Sequence, residues 1–209
     1  MPVFMLEADN LECTRGERRL FQGVGFGLEA GELLYLTGKN GVGKTSLLRM
    51  ICGLLPPNAG TIRWRGEDIR RLAGDYRAEL CYLGHANAIK EELTPLENLR
   101  SDAALSETCL SETQAFGALA QVGLAGREDL PCRYLSQGQK RRVALARLVF
   151  DQRALWVLDE PFVALDVQAV AWLVQLIAAR IAQGALVLMT THQPVEIPVD
   201  RVREFCLGK

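Results

Sequence analysis

The sequence carries almost no net charge, because 24 lysine and arginine residues nearly balance 25 aspartate and glutamate residues, leaving −1 at pH 7. A chain without an overall positive field binds nucleic acid only through a local basic patch. The sequence offers no basic face, and it has no heptad tract typical of a coiled coil. We therefore expect no nucleic-acid partner.

Long hydrophobic runs are also missing. The richest apolar stretch, AVAWLVQLIAARIA (169–182), is interrupted by Gln175 and Arg180, whereas a membrane-spanning helix needs about 20 mostly apolar residues. The first ten residues, MPVFMLEADN, lack the basic and apolar regions of a secretory signal. We expect a cytoplasmic protein.

The cysteines form no CxxC pair and no CxxCH haem-attachment motif. Scattered cysteines in a cytoplasmic protein are mostly reduced, buried thiols, and a structural zinc site is not expected. The set comprises Cys13, Cys52, Cys81, Cys109, Cys132 and Cys206.

Short apolar runs alternate with helical patterns along the 209 residues, which predicts one α/β domain built around a largely parallel sheet. Three capping boxes, Thr94–Glu97, Ser111–Gln114 and Ser136–Gln139, each predict a helix start. Gly123 and Gly184 suit helix ends, and Asp166 suits a helix N-cap. We expect strands at 32–38, 61–66, 79–84, 154–161, 185–192 and 201–207, helices at 44–55, 115–124 and 167–183, and a helical insert at about 86–135.

The stretch GKNGVGKT (38–45) matches the pattern G-x-x-x-x-G-K-[ST] between a predicted strand and a predicted helix. Its glycines allow backbone N–H groups to turn toward phosphates at a helix N-terminus. Lys44 is the candidate catalytic cation for the β- and γ-phosphates, and the Thr45 hydroxyl can ligate Mg²⁺. The candidate ATP-binding residues here are Gly38, Lys39, Asn40, Gly41, Val42, Gly43, Lys44, Thr45 and Ser46.

Two acids end the apolar run LWVLDE (155–160). Asp159 is placed to hold Mg²⁺, and Glu160 can orient the attacking water or accept its proton. A solvated strand end is the alternative, which the glycine loop in the same chain argues against. His192, at the end of the run ALVLMTTH, is either structural or a contact to the γ-phosphate, and the ligand-binding edge of a parallel sheet favours the latter.

A second phosphate-binding helix start is predicted in YLSQGQKRRVALARL (134–148). Ser136 and Gly138 begin the helix, and we expect Lys140, Arg141 and Arg142 to strengthen its positive field. Because residues 38–45 already hold the chain's own phosphates, this helix start makes sense if it closes over the nucleotide of a partner subunit.

LSQGQ resembles the LSGGQ motif of ATP-binding-cassette (ABC) ATPases, and GKNGVGKT, LWVLDEP, ALD (164–166) and His192 follow in that family's order. The resemblance implies a P-loop NTPase (RecA-like) core with an N-terminal antiparallel β subdomain and a helical subdomain, in one cassette spanning 1–209. It also implies Mg²⁺-dependent ATP hydrolysis in a head-to-tail dimer. Across that dimer Ser136, Gln137, Gly138 and Gln139 contact the partner's ATP, and Asp166 communicates with the partner.

Three positions depart from the family pattern. Gln137 stands where the family usually has glycine. His85 replaces the Q-loop glutamine, where it either faces the metal or water, with a pH-sensitive role, or makes no contact. Arg15 takes the place of the aromatic residue that stacks on adenine, and a guanidinium plane can also stack.

The combination of Gly84–His85, LSQGQKRRVALARL, LWVLDEPFVALD and TTHQP (190–194) resembles the ATP-binding subunits of haem exporters for cytochrome c biogenesis. That implies docking on integral membrane subunits, through the helical insert and the His85 loop, at the cytoplasmic face of the inner membrane. Alternatives are an ABC subunit for another cargo or a soluble ABC ATPase acting on DNA or ribosomes. LSQGQ and Glu160 argue against a P-loop kinase or a pure binding module.

Overall fold

The computed structural model describes residues 4–106, 108–193 and 195–208, so the first residues of MPVFMLEADN and Pro194 of TTHQP lie outside the described part. The chain forms two compact units. Unit 1 comprises Met1–Tyr82, Arg153–Pro161 and Ile177–Lys209, and unit 2 comprises Leu83–Gln152 and Phe162–Leu176. The insert expected at about 86–135 falls within unit 2, whose continuous part extends beyond it at both ends.

Unit 1 contains two sheets. Its strands are β1 (Leu6–Arg15), β2 (Arg18–Leu28), β3 (Leu33–Thr37), β4 (Ala59–Trp64), β5 (Glu67–Asp68), β6 (Leu80–Leu83, whose last residue belongs to unit 2), β7 (Leu155–Asp159), β8 (Leu186–Thr190) and β9 (Val202–Cys206). One sheet has the order β2-β1-β4-β5, with antiparallel pairings. The other has the order β6-β7-β8-β3-β9, in which β3, β7, β8 and β9 pair in parallel.

The strands β7 and β8 of the parallel sheet are buried, whereas its edge strand β9 is largely exposed. Every residue of β7 and β8 is buried, as expected for strands covered on both faces. Because β3, β7 and β8 are parallel, the residues that follow Thr37, Asp159 and Thr190 lie at the same edge of the sheet.

The helices of unit 1 are α1 (Lys44–Ile51), α2 (Ile69–Leu72) and α3 (Gly74–Ala78). The prediction that α1 extends to residue 55 is wrong. Gly53, with a φ of 67°, closes the helix with bonds from Gly53 N to Met50 O and from Leu54 N to Arg49 O. This is the Schellman pattern, which stops the helix four residues early.

Unit 2 is helical and contains α4 (Pro95–Leu105), α5 (Glu112–Gln121), α6 (Gln137–Ala146) and the first part of α7 (Val167–Ala182), with 3₁₀ turns at Cys132–Tyr134 and Arg147–Val149. All three predicted capping boxes are present. Gly123 and Gly184, with φ of 74° and 93°, follow α5 and α7 as predicted. Within the described residues, no helix is both long enough and apolar enough to cross a membrane.

The strand predicted at 185–192 ends earlier, at Thr190. Beyond it, the Thr191 hydroxyl accepts a bond from the Gln193 backbone at 3.0 Å. A local turn of this kind competes with the strand ladder. His192 therefore lies in the loop after β8 rather than in the strand.

Candidate functional site

The glycine loop joins β3 to α1 in a conformation that requires glycine. Gly43 is the N-cap of α1 with a φ of 112°, and a Cβ there would lie 3.0 Å from the Phe21 ring. Gly38 has a φ of 135°, and a Cβ there would lie 2.5 Å from the Leu207 carbonyl oxygen. Packing and backbone conformation therefore both require glycine at these positions, in a loop that ends at the N-terminus of α1, where anions bind favourably.

Lys44 is held by its own loop. Its Nζ donates to the Gly38 carbonyl at 2.8 Å and to the Lys39 carbonyl at 3.4 Å. The ammonium group therefore lies over the glycine loop, with the positive end of α1 behind it.

Asp159 is a buried carboxylate, 2% exposed, at the end of β7. Its Oδ2 accepts from the Thr45 hydroxyl at 2.9 Å, and its Oδ1 accepts from the Thr190 hydroxyl at 2.7 Å. The carboxylate is thus fixed between α1 and β8.

Glu160 follows directly and adopts a φ of 50°, which is uncommon for a residue other than glycine and is often found at functional sites. Its backbone N donates to the Thr190 hydroxyl at 3.0 Å. Its carboxylate accepts from the His192 backbone N at 3.2 Å and lies 3.4 Å from His192 Nε2. The side chains of Glu160 and His192 are 12% and 58% exposed, so this acid–imidazole pair reaches solvent.

Thr190 was not among the predicted site residues, yet it joins Asp159 to Glu160. The sequence signal was a polar residue at the end of an otherwise apolar strand, next to a strand that ends in two acids. The Thr45–Asp159 oxygen pair suits Mg²⁺, which takes one or two protein oxygens and fills its other positions with phosphate and water. No cluster of three or more potential metal-ligating His, Cys, Asp or Glu residues occurs in the part of the chain that the structure describes.

Two neutral groups lie near the Asp159 charge. Burial raises the pKa of the Cys52 thiol, and the charges of Cys81 and Asp159 add to the rise. Burial also raises the pKa of Tyr82, against a hydrogen bond with Arg49, and Asp159 again adds to the rise. The Cys52 thiol and the Tyr82 hydroxyl therefore stay protonated at neutral pH.

Arg15 ends β1 and pairs with Arg18 across the hairpin, exposed to solvent. The side chains of β2 that lie against the glycine loop are Leu20 and Phe21. Ser46, in the first turn of α1, bonds to the Cys13 thiol. Burial raises the pKa of this thiol, and the bond lowers it in part.

Ser136 to Gln139 open α6 in unit 2. The Gln139 backbone N donates to Ser136 Oγ at 3.2 Å, and the Ser136 backbone N donates to Gln139 Oε1 at 2.9 Å. The Ser136 hydroxyl keeps its own proton to donate, and it is exposed, as is Gln137. A Cβ on Gly138 would lie 2.8 Å from the Ala164 carbonyl oxygen, so glycine is needed here for packing.

The basic residues of α6, which were expected to strengthen a field toward phosphate, are engaged within unit 2. Lys140 is buried and forms an ion pair with Glu91 at 2.7 Å. Arg141 is 3% exposed and donates to the Gly84 carbonyl at 3.1 Å. Both side chains are buried, and each binds another segment of unit 2.

Asp166 is the predicted N-cap of α7, and its Oδ1 accepts from the Ala169 backbone N at 2.9 Å. Its Oδ2 pairs with Arg142, and its side chain remains 61% exposed. His85 is exposed and follows Gly84. Unit 1 therefore brings residues 38–46 together with Asp159, Glu160 and His192, whereas unit 2 holds residues 136–139, Asp166 and His85.

Residues 21–163 match the family model described as "ABC transporter". A "Cytochrome c biogenesis ATP-binding export protein CcmA" from Dechloromonas aromatica is 67% identical over 204 residues, covering 98% of this chain and all of the relative. The protein with the same description from Nitrosomonas europaea is 52% identical over 207 residues, covering 99% of this chain and 97% of the relative.

Two solved structures share the fold. An ATP-binding subunit of an ABC transporter is 29% identical with a TM-score of 0.79, covering 90% of this chain and 79% of that one. An ATP-binding cassette solved as a dimer in a post-hydrolysis state, bound to ADP and Pi, is 22% identical with a TM-score of 0.83, covering 98% of this chain and 97% of that one. The α/β fold class of the ABC ATPase type, expected from the motifs, is confirmed.

Proposed function

Because the chain belongs to the ABC transporter family, we propose that it is the ATP-hydrolysing subunit of a transporter that exports haem for cytochrome c biogenesis. ATP hydrolysis rests above all on one observation, the hydrogen-bonded series Thr45, Asp159, Thr190, Glu160 and His192 beside the glycine loop. The export role rests on the full-length likeness to export proteins of cytochrome c biogenesis. Residues 1–209 form one cassette in this proposal.

The phosphates of ATP bind to the backbone amides of residues 38–46, where Lys44 exchanges its bond to the Gly38 carbonyl for the β- and γ-phosphates. Thr45 and Asp159 hold Mg²⁺, which neutralises phosphate charge when bound. Arg15 stacks on the adenine.

Glu160 orients the attacking water and accepts its proton while the water oxygen bonds to the γ-phosphorus. The bond to the β–γ bridging oxygen breaks, and ADP and phosphate result. His192 holds the Glu160 carboxylate in place through its backbone N–H and contacts the γ-phosphate with its imidazole. The low exposure of Glu160, 12%, limits competing water at the carboxylate.

A second copy of the chain completes the site from the other side. The Ser136 hydroxyl and the backbone N–H of Gly138 donate to the γ-phosphate held by the partner, flanked by Gln137 and Gln139. Asp166, exposed at the start of α7, contacts the partner across the same interface. Each ATP thus lies between two chains, and neither chain hydrolyses ATP alone.

The Glu160→Gln variant tests this assignment. We expect ATP binding to persist, kcat to fall by about 10²- to 10⁴-fold, as for the loss of a general base, and an ATP-dependent dimer to appear on a sizing column. Glu196→Gln, which changes an exposed carboxylate outside the site, should leave the rate unchanged. A Glu160→Gln protein that stays monomeric and turns over at the wild-type rate would refute both roles.

The transporter role has its own test. We propose that the chain acts at the cytoplasmic face of the inner membrane, and we expect the tagged chain to bring down integral membrane subunits from mild-detergent extracts of that membrane. Recovery with ribosomes or DNA instead would favour the soluble ABC ATPase. If the recovered membrane subunits stimulate the ATPase activity of the chain equally with and without haem, the result would favour another cargo.

A further inference from the structure

The segment 164–166 lies along one face of α6. Gly138 and Arg142 are four residues apart on this helix and therefore share a face. A Cβ on Gly138 would lie 2.8 Å from the Ala164 carbonyl oxygen, and the Arg142 guanidinium pairs with the Asp166 carboxylate. Two successive turns of α6 thus hold the two ends of one three-residue segment.

The Arg142 guanidinium makes two bonds at once. Its Nη2 donates to Asp166 Oδ2, and its Nη1 donates to the Val122 carbonyl at the C-terminus of α5 at 2.9 Å. The negative end of the α5 dipole favours a cation at this place. Gly123, with a φ of 74°, leaves room, because a Cβ there would overlap Arg142 Nη1.

Asp166 is consequently fixed at both carboxylate oxygens. Oδ1 accepts from the Ala169 backbone N and caps α7, while Oδ2 is held by Arg142. The Arg142 side chain is 19% exposed, whereas that of Asp166 is 61% exposed. The arginine is an internal support, and the carboxylate is the part presented to the outside.

We infer that Arg142 is a positioning residue for ATP hydrolysis: it locks Asp166 onto α6, so that Ser136, Gly138 and Asp166 meet the partner's nucleotide as one rigid surface. The inference rests on the proposed function of the chain as one half of an ATP-dependent dimer. It gives Arg142 no contact with ATP. Its effect is therefore expected on turnover and not on nucleotide binding by the glycine loop.

The test compares Arg142→Gln, Arg142→Lys and Asp166→Asn. Misplacing a catalytic group by about 1 Å costs about 10²-fold in rate, so we expect Arg142→Gln to lower kcat by that order with KM for ATP and monomer nucleotide affinity unchanged. Lysine keeps the charge but lacks the two-pronged geometry, so the kcat of Arg142→Lys should lie between that of the wild type and that of Arg142→Gln. Arg100→Gln, an exposed change on α4, is the control for losing a cation.

Asp166→Asn removes the charge that Arg142 binds but keeps the Oδ1 atom that caps α7. It therefore breaks the same pair from the other side, without changing Arg142, and shows whether a loss in the arginine variants comes only from misfolding. If Arg142 acts through Asp166, the double variant Arg142→Gln/Asp166→Asn should be no slower than the slower single variant. Amide hydrogen exchange over 164–169 should also speed up in Arg142→Gln. The inference would be overturned if the fold-losses in kcat of the two single variants multiplied in the double variant, or if Arg142→Gln kept the wild-type kcat. An inactive wild-type protein would instead count against the proposed function itself.

Discussion

Replacing Thr190 by valine should damage the hydrolytic site without touching any group proposed to contact ATP. The Thr190 hydroxyl donates to Asp159 Oδ1 at 2.7 Å and accepts from the Glu160 backbone N at 3.0 Å, and the residue is fully buried. Valine matches the shape of threonine, so the change removes one hydroxyl group and its two hydrogen bonds.

The magnitude follows from those two bonds. A hydrogen bond to a charged group contributes about 1.5–3 kcal/mol, and one between neutral groups contributes about 1 kcal/mol. We expect the free energy of unfolding to fall by roughly 2–4 kcal/mol. For a chain of this size, each kcal/mol lowers Tm by about 2–4 °C. Since Asp159 and Glu160 lose their shared support, kcat should also fall by about 10²-fold.

The assay pairs thermal unfolding with steady-state ATPase kinetics. Thr190→Ser is the matched control, because it keeps the hydroxyl and loses only a methyl group, which is worth about 1 kcal/mol. Its kcat should stay near that of the wild type. If Thr190→Val keeps both Tm and kcat, or if the serine variant is as impaired as the valine variant, the hydroxyl is not the support that we describe.

Three substitutions at glycine and serine positions distinguish the proposed partner-facing residues Ser136 and Gly138 from the glycine loop, which is proposed to bind the chain's own ATP. Ser136→Phe should abolish hydrolysis while nucleotide titration of the monomer stays nearly unchanged, and loss of monomer binding would refute the partner-facing role. Gly138→Ala brings a methyl group to 2.8 Å from the Ala164 carbonyl oxygen, so turnover should fall, and an unaffected rate would mean that this contact yields easily. Gly43→Ala meets the Phe21 ring at 3.0 Å at a φ of 112°, so binding itself should fail in equilibrium titration, in contrast to Ser136→Phe.

Elements with a local physical cause were predictable from the sequence. The strands at Leu33–Thr37 and Leu155–Asp159 are continuous apolar runs, and such runs are typical of parallel strands buried on both faces. The three helix starts each carry both halves of a capping box within four residues. For these strands and helix starts, a few consecutive residues contain the pattern or the hydrogen-bonding pair that determines the structure.

The long strand β2 is the opposite case. Its second half, GVGFGL, has a glycine at every other position, and glycine disfavours strands when only local preference counts. The structure supplies the reason at Gly27, where a Cβ would overlap the Phe4 ring, whereas a Cβ on Gly25 would make an ordinary contact with the Ala8 carbonyl oxygen at 3.4 Å. These partners are distant in sequence, so only the family resemblance predicted an antiparallel subdomain.

The site itself divides in the same way. The glycine loop, Asp159 and Glu160 were predictable as candidate site residues because each motif contains, within a few residues, the chemical groups that its proposed role needs. Thr190 was missed because its role depends on the neighbouring strand, 31 residues away from Asp159. The partners of the basic residues of α6 were not predictable because they are distant in sequence: Glu91 lies 49 residues from Lys140.

Those basic residues also change how phosphate recognition at α6 is understood. Successive residues of a helix point about 100° apart, so Lys140, Arg141 and Arg142 reach three separate segments, at Glu91, Gly84 and Asp166. A cation in the first turn of a helix is disfavoured by the dipole, and for Lys140 the bond to Glu91 offsets that cost. Lys140 and Arg142 are thus paired with acids inside unit 2, and the proposal therefore assigns the contacts to a partner's phosphate to the Ser136 hydroxyl and the backbone amides. The capping box between Ser136 and Gln139 sets the geometry of these groups without using the side chain at 137, which supports the proposal that the motif tolerates glutamine there.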